Sequence, residues 1–251
     1  MSDQENNGFV KVLQKDQYGE VVFHHPKANS MTAQMLRALA EGIEGLAAKV
    51  ENKSILLRSE GKHFCTGASF EELLKIRNPE EGVQFFMGFA RVIAAMRAAP
   101  IPIVTLIQGL TVGGGVGIVG ASDMVIAANE AQFKLSELKI GIGPFVISPI
   151  LKAKMGNGSF STMAFTPGDF FSSEWALSKG LVSKRVLSDV LSEEGEQKTA
   201  EFGNYSRLAI TRLKSIGFDP ELEGQMKEMA AMSAELVCLP ETRAFLNEFL
   251  K

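Results

Sequence analysis

Apolar positions along this chain change their spacing several times, and each change marks an element. Alternation at Val10–Leu13 and Glu20–Phe23, broken by Asp16-Gln-Tyr-Gly19, predicts two short strands joined by a turn. The stretch His24 to Ser30 contains Pro26 and Asn29 and reads as a loop. Met35, Leu36, Leu39, Ile43 and Leu46 recur every three or four residues, which predicts a helix from about Thr32 to Lys49. Ser54–Arg58 is a further strand. The glycine-containing loop Gly61–Ser69 comes next, and then a helix carrying Phe70, Leu73, Leu74 and Ile76. Asn78-Pro79-Glu80-Glu81 combines an N-cap, a proline at the first helical position and acids over the positive pole. The helix it opens reaches about Ala98, and Pro100 and Pro102 end it.

Ile103–Ile107 and Met124–Ala128 are short apolar runs between turns, the pattern of strands buried on both faces. Gly113-Gly114-Gly115 and a short helix lie between them. Around Ser172 to Gly180 a capped helix closes on a glycine, and Val182–Val186 is another strand. The remainder of the chain is nearly all helical in pattern. Leu222, Met226, Met229, Met232, Leu236, Phe245 and Leu246 form an apolar stripe between Glu221 and Lys251. Residues 1–190 therefore read as an α/β core and 191–251 as a helical appendage. A stripe so close to a terminus predicts a subunit interface, with core packing in the same chain as the other outcome.

Composition narrows the class. With 251 residues, the chain is long enough for one large domain, or one with an appendage. A formal net charge of −3 gives no reason to expect a nucleic-acid or membrane partner. Cys65 and Cys238 have no metal-ligand spacing, so free thiols in a reducing compartment and no metal are expected. The polar, acidic opening MSDQENNG is expected to be a frayed tail rather than a leader. No apolar run approaches the roughly 18–20 residues needed to cross a bilayer, so a cytoplasmic protein is expected.

The candidate chemistry lies in Gln108 to Glu137. Glycine serves where a backbone must approach a ligand or take a positive φ. A glycine turn opening a helix also presents unpaired N–H groups with the macrodipole behind them. Such a turn can hold an anion, or a carbonyl oxygen that gains charge during reaction. It can equally be a tight turn beside a sheet.

Further motifs stand in a fixed order around it. They are His25-Pro-Lys-Ala-Asn-Ser-Met31, Phe64-Cys-Thr-Gly-Ala-Ser69, Gln108-Gly-x-x-x-Gly-Gly-Gly115 and Ser122-Asp123. Ala131-Gln-Phe-x-x-x-Glu137 and Trp175-Ala-x-x-x-Gly-Leu-Val182 complete the series. Over almost its whole length the chain resembles the crotonase (enoyl-CoA hydratase/isomerase) superfamily. The resemblance implies a spiral of β-β-α turns with a C-terminal helical domain that packs trimers, often paired into hexamers. It implies an acyl-CoA thioester as substrate, or a relative on an acyl carrier protein, and no cofactor beyond that coenzyme A. Two backbone N–H groups, by position those of Ala68 and Gly114, would bind the thioester oxygen. Lys27, Ala28 and Asn29, with Thr66, Ser69, Phe70, Gly113 and Phe145, would line the substrate channel. Lys27 would touch phosphate or pantetheine unless it is a solvated loop lysine, and Lys251 could reach a neighbouring subunit's CoA.

Two departures bear on mechanism. The hydratases of the superfamily use two glutamates, and at the first position this chain has Gly117, so that only Glu137 remains. One carboxylate suffices to take a proton from one carbon and return it to another. In this the chain resembles the single-glutamate Δ3,Δ2-enoyl-CoA isomerases. Glu137 would need its pKa raised by burial among Phe133, Leu135, Leu138 and Ile140. Phe145, Val146 and Ile147 replace small residues, which implies a narrower or more apolar acyl pocket. A hydratase using Glu71, Glu72 or ordered water, a decarboxylase of a glutaconyl-type thioester, and a non-catalytic acyl-CoA-binding trimer are the alternatives. Glu71 and Glu72 otherwise complement a helix dipole. His63 reads as a packing or surface residue, Cys65 as a buried thiol and Asp123 as a cap, while His24 and His25, being adjacent, point in different directions and do not make a metal pair.

Overall fold

The computed structural model describes residues 8–217 and 219–249, so most of the expected frayed tail, and Lys251, lie outside the described residues. The chain opens with β1 (Phe9–Gln14), β2 (Tyr18–His24), α1 (Ala33–Ala48) and β3 (Ser54–Ser59). Then come α2 (Phe70–Lys75), α3 (Pro79–Ala98), β4 (Ile103–Ile107), β5 (Leu110–Val112) and α4 (Gly114–Ala121). β6 (Met124–Ala128) and β7 (Gln132–Lys134) lead to a 3-10 turn, Glu137–Ile140, and to α5 (Ser148–Phe165). The last elements are β8 (Phe171–Ser172), α6 (Ser173–Ser178), β9 (Lys184–Val186), α7 (Leu191–Glu201), α8 (Arg207–Ile216), α9 (Leu222–Val237) and α10 (Pro240–Phe249).

Two sheets result, and the chain alternates between them. Six strands form one sheet in the order β1-β2-β3-β4-β6-β9, and three form the other in the order β5-β7-β8. In the large sheet only the β1–β2 pair is antiparallel. Alternate side chains of its central strands enter opposite cores. Ile55, Leu57, Ile103, Ile107, Val125 and Ala127 face the main core, while Leu56, Val104, Leu106, Ile126 and Ala128 face Leu191 of α7. This two-sided burial is why those strands read as unbroken apolar runs.

Helix ends obey local chemistry. Thr32, Ser69, Asn78, Ser172 and Ser206 each cap a helix through a side chain that accepts a backbone N–H. α4 lacks such a cap, because its N-terminus follows Gly113 in a left-handed turn, φ 56°. Its sequence GGVGIVGA puts Gly114, Gly117 and Gly120 on one face, and each glycine receives a large side chain. A Cβ on Gly114 would stand 2.6 Å from Phe89 Cδ1, one on Gly117 2.8 Å from Ile147 Cβ, and one on Gly120 2.8 Å from Leu151 Cδ2. α4 can therefore lie against α3 and α5 closer than any residue with a side chain would allow.

The structure corrects several expectations. Tyr18 and Gly19 belong to β2 rather than to the turn, and β9 begins only at Lys184. α5 has no counterpart among the elements expected from the pattern, since Gly156 and Gly158 interrupt its periodicity, and Gly156 (φ 79°) does break it into two helical pieces. The C-terminal stripe does not stand out as a free interface. Leu222, Met226 and Leu246 belong to the main core, and α9 packs on α3, with Ala234 seated over Gly82. Met232 and Phe245 remain exposed. Among the described residues no helix is long and apolar enough to cross a membrane.

The glycine face of α4 yields a test. Alanine is intrinsically favoured over glycine in a helix by about 1 kcal/mol. At Gly117 overpacking against Ile147 outweighs this, and Gly117→Ala is expected to destabilise the protein by roughly 1–3 kcal/mol in urea unfolding. An unchanged or raised midpoint would show that Ile147 has room to move.

Candidate active site

The small sheet brings the predicted site together. The tract Phe64–Cys65 runs beside β5, with Phe64 N–H donating to the Leu110 carbonyl (3.1 Å) and Val112 N–H to the Cys65 carbonyl (2.8 Å). Cys65 thereby stands opposite Thr111, and Thr111 opposite Phe133 of β7, all in parallel register. Three parallel tracts thus end on one side, and their next residues turn towards the same cavity. It is about 70 Å³ in volume, and its wall includes Thr66, Ala68, Phe70, Gly113, Gly114, Glu137 and Phe145.

Two amides in this wall have no internal partner. Met31 N–H donates to the Gly67 carbonyl and Ser69 N–H to the Met31 carbonyl, at 2.8 and 2.9 Å, which fixes the backbone on both sides of Ala68. Gly113 N–H donates to the Lys134 carbonyl (2.9 Å) and Val116 N–H to that of Gly113 (2.8 Å), which does the same around Gly114. Among the described residues the N–H groups of Ala68 and Gly114 themselves make no hydrogen bond. Two held but unpaired donors on one cavity wall are suited to an oxygen that gains negative charge.

Glu137 opens the 3-10 turn beside them. Its Oε2 is buried without a hydrogen-bond partner among the described residues. A Cβ on Gly113 would stand 2.9 Å from its Oε1, so the bare glycine lets the carboxyl lie against the donor turn. Burial pushes its pKa up to about 7, against the smaller opposing pull of the Glu137 and Ser136 backbone N–H groups. Phe133, Leu135 and Ile140 are buried, as expected, but Leu138 is exposed and takes no part in this desolvation. A carboxyl with a pKa about 7 can both accept and return a proton near neutral pH.

Four of the expected binding residues do not line the cavity. Lys27 pairs with Glu71 on the surface, and that hydrogen bond and charge hold the Glu71 carboxyl below its usual range. The Ala28 carbonyl accepts the Thr66 hydroxyl at 2.9 Å. Ser69 is the N-cap of α2. Asn29 is buried, and its side chain is fully engaged: Oδ1 accepts His25 N–H, while Nδ2 donates to the carbonyls of Glu60 and His63, both at 2.7 Å. With Gln108, whose Nε2 donates to Ser59 Oγ (2.9 Å) and the His63 carbonyl (3.0 Å), it ties down the loop that precedes Ala68. Asn29 and Ala28 adopt positive φ, 58° and 52°, a strain that this network sustains.

The other candidates settle into structural roles. Glu72 Oε2 accepts Ala33 N–H (2.7 Å) at the start of α1, so neither acid of α2 reaches the cavity. Cys65 is fully buried, and burial pushes its thiol up to about 12, out of reach of ionisation. Asp123 accepts Ile103 N–H and Lys214 Nζ at 2.8 and 2.7 Å, pinning α8 to the start of β4. His25 is buried, and desolvation, then the Lys27 charge, holds it neutral at pH 7. Among the described residues no cluster of three or more His, Cys, Asp and Glu could hold a metal ion. Sequence reasoning missed Phe86 and Phe89 of α3 and Ser233 of α9, which also form part of the wall. Helical spacing marks their faces as apolar or packed but cannot say that a site lies beneath.

Residues 15–243 match the family model for enoyl-CoA hydratase/isomerase. A probable enoyl-CoA hydratase of Bacillus subtilis (strain 168) is 25% identical over 245 residues, covering 95% of this chain and 95% of that protein. The mitochondrial enoyl-CoA hydratase domain-containing protein 3 of Rattus norvegicus is 26% identical over 198 residues, covering 78% of this chain and 66% of its own length. Among solved structures, an enoyl-CoA hydratase from Bacillus halodurans has a TM-score of 0.88 at 22% identity, covering 95% of this chain and 99% of that one, and so shares the fold. The mixed α/β architecture with its C-terminal helices is thus the crotonase fold, and this chain belongs to the enoyl-CoA hydratase/isomerase family.

Proposed function

We propose that the protein moves a double bond in an acyl-CoA thioester, from the 3,4 to the 2,3 position, with Glu137 as the sole proton carrier. The thioester oxygen accepts the N–H groups of Ala68 and Gly114. The Glu137 carboxylate removes a proton from C2, the electron pair delocalises onto the oxygen and C4, and the same carboxyl returns the proton to C4. No water enters and no cofactor is needed. The observation that carries this reading is the solitary buried carboxyl of Glu137 beside two unpaired amides.

Water addition is the second reading, since the relative from Bacillus subtilis is named a probable enoyl-CoA hydratase and that from Rattus norvegicus is named for an enoyl-CoA hydratase domain. Against it, Gly117 faces Ile147, and Glu71 and Glu72 are engaged outside the cavity. Assembly into a trimer or a dimer of trimers belongs to the same proposal. Leu208, Leu213 and Ile216 of α8, each more than half exposed, supply an apolar face for it.

Purified protein given 3-enoyl-CoA and 2-enoyl-CoA separates the readings. Isomerisation is expected, and Glu137→Gln should lower it by about 10²–10⁴-fold. Hydration of the 2-enoyl thioester that survives Glu137→Gln would remove that residue from its role. Because the base must be ionised, kcat/KM should rise with pH through about 7 and then level off. A profile flat between pH 5 and 9 would contradict the assignment.

Stability gives a second readout of the same carboxyl. Its folded-state pKa lies above the ordinary carboxylate value, so the folded protein binds the proton more tightly than the unfolded chain. That contribution is complete below about pH 4.5 and is lost progressively as the pH rises to about 7. Glu137→Gln should therefore be the more stable protein by roughly 3 kcal/mol at pH 8–9, with the advantage fading by pH 4.5. Denaturant midpoints for the two proteins that stay in constant ratio across this range would mean that the acid is solvated.

A further inference from the structure

The cavity beside Glu137 is small for a reason that can be traced atom by atom. Ile147, the last residue before α5, occupies the space a side chain on Gly117 would need, its Cβ 2.8 Å from where that Cβ would stand. Phe145 folds over Gly143 in the same way, with Cδ1 2.9 Å from the position of a Cβ there, and Phe89 lies over Gly114. Large side chains seated on bare backbone thus form the inner wall and leave about 70 Å³. Close-packed interiors yield little, so an acyl chain that meets this wall gains nothing from further methylenes.

The wall is also electrostatically one-sided. Among the described residues that line it there is no lysine, arginine or histidine, and Glu137 is the only ionisable side chain. Of its three hydroxyl groups, those of Thr66, Ser136 and Ser233, two are committed within the chain. Thr66 Oγ1 donates to the Ala28 carbonyl (2.9 Å) and Ser233 Oγ to that of Met229 (3.3 Å). Lys27, the cation expected to contact the substrate, is paired with Glu71 on the surface. A carboxylate at the far end of an acyl chain would enter without a cation to pair with and share the cavity with Glu137.

We propose that the site takes thioesters of short, uncharged acyl chains, and that Ile147 sets the length limit. This rests on the proposed thioester chemistry and extends it to the acyl group. Glutaconyl-type thioesters, which carry a second carboxylate, are excluded by the same wall.

The test uses saturated thioesters, which cannot isomerise, so that binding is read apart from catalysis. Butyryl-, pentanoyl-, octanoyl-, dodecanoyl- and glutaryl-CoA are titrated calorimetrically into the intact protein and into Ile147→Ala and Ile147→Val. Butyryl-CoA should bind at least about tenfold more tightly than dodecanoyl-CoA, and pentanoyl-CoA about tenfold more tightly than glutaryl-CoA. Ile147→Ala should improve dodecanoyl binding about tenfold with little change for butyryl, and Ile147→Val should shift it the same way by less. Should Ile147→Ala fail to fold, the valine variant and the unaltered protein still decide the matter. Dodecanoyl binding as tight as butyryl, glutaryl as tight as pentanoyl, or an unchanged order in the folded variants would each overturn the proposal. Failure of every CoA thioester to bind would instead overturn the thioester reading. The expected binding order without turnover of a 3-enoyl thioester would leave this inference standing and remove only the proton-carrier role.

Discussion

The parallel register of three short tracts holds the site together. Cys65, Thr111 and Phe133 stand side by side across the small sheet. Ala68 and Gly114 come three residues after the first two, and Glu137 four after the third. Main-chain hydrogen bonds therefore fix the relative positions of two donors and one acid without any help from their side chains. A shift of one residue along any tract would turn its side chains to the opposite face and carry its functional group away from the others. The surrounding network defends this register. Asn29 and Gln108 hold the loop before Ala68, and Gly113 is anchored to Lys134 on the neighbouring strand.

Burial then gives the acid its character. A carboxyl on an exposed turn would be ionised at neutral pH and weakly basic. Here desolvation works against the nearby backbone dipoles and wins, in a cavity whose wall includes Ile140, Ile142 and Phe89. Glycine makes the arrangement possible twice over. At Gly113 the missing side chain leaves space for the carboxyl, and along α4 the missing side chains let Phe89 and Ile147 press close. The same residue type thus supplies the close approach at the donor turn and the density of the wall behind it.

The parts of the fold legible in the sequence are those where several residues vote together. β4 has four apolar positions of five and β6 five of five, and α1 and α3 combine periodicity with capping residues, so their positions are readable. β5 and β7 have three residues apiece, and only Thr111 and Phe133 at their centres are buried, which leaves no period to detect. α5 hides behind Gly156, whose left-handed φ splits it. Ala68, Gly114 and Glu137 can be named from their place in a family motif. Their meeting at one cavity is a product of sheet pairing that local pattern does not encode. Asn29 shows the reverse difficulty: a motif residue beside the channel proves to be a brace, signalled only by asparagine's tolerance of positive φ. The seating of Ile147 on Gly117 joins residues thirty apart, and nothing local in either neighbourhood announces it.

Ser233 lies on α9, yet it forms part of the cavity wall, and α9 rests in the notch that Gly82 leaves on α3. The two unpaired amides and the acid all precede residue 140, so they are synthesised well before the helix that helps to roof them. A nascent chain not yet extended to residue 222 would hold these groups in a more open, hydrated trough, where amides and carboxyl lose the low-dielectric surroundings that strengthen their interactions. The dry surroundings of the candidate site are therefore completed by α9, a helix far along the chain from the groups it covers.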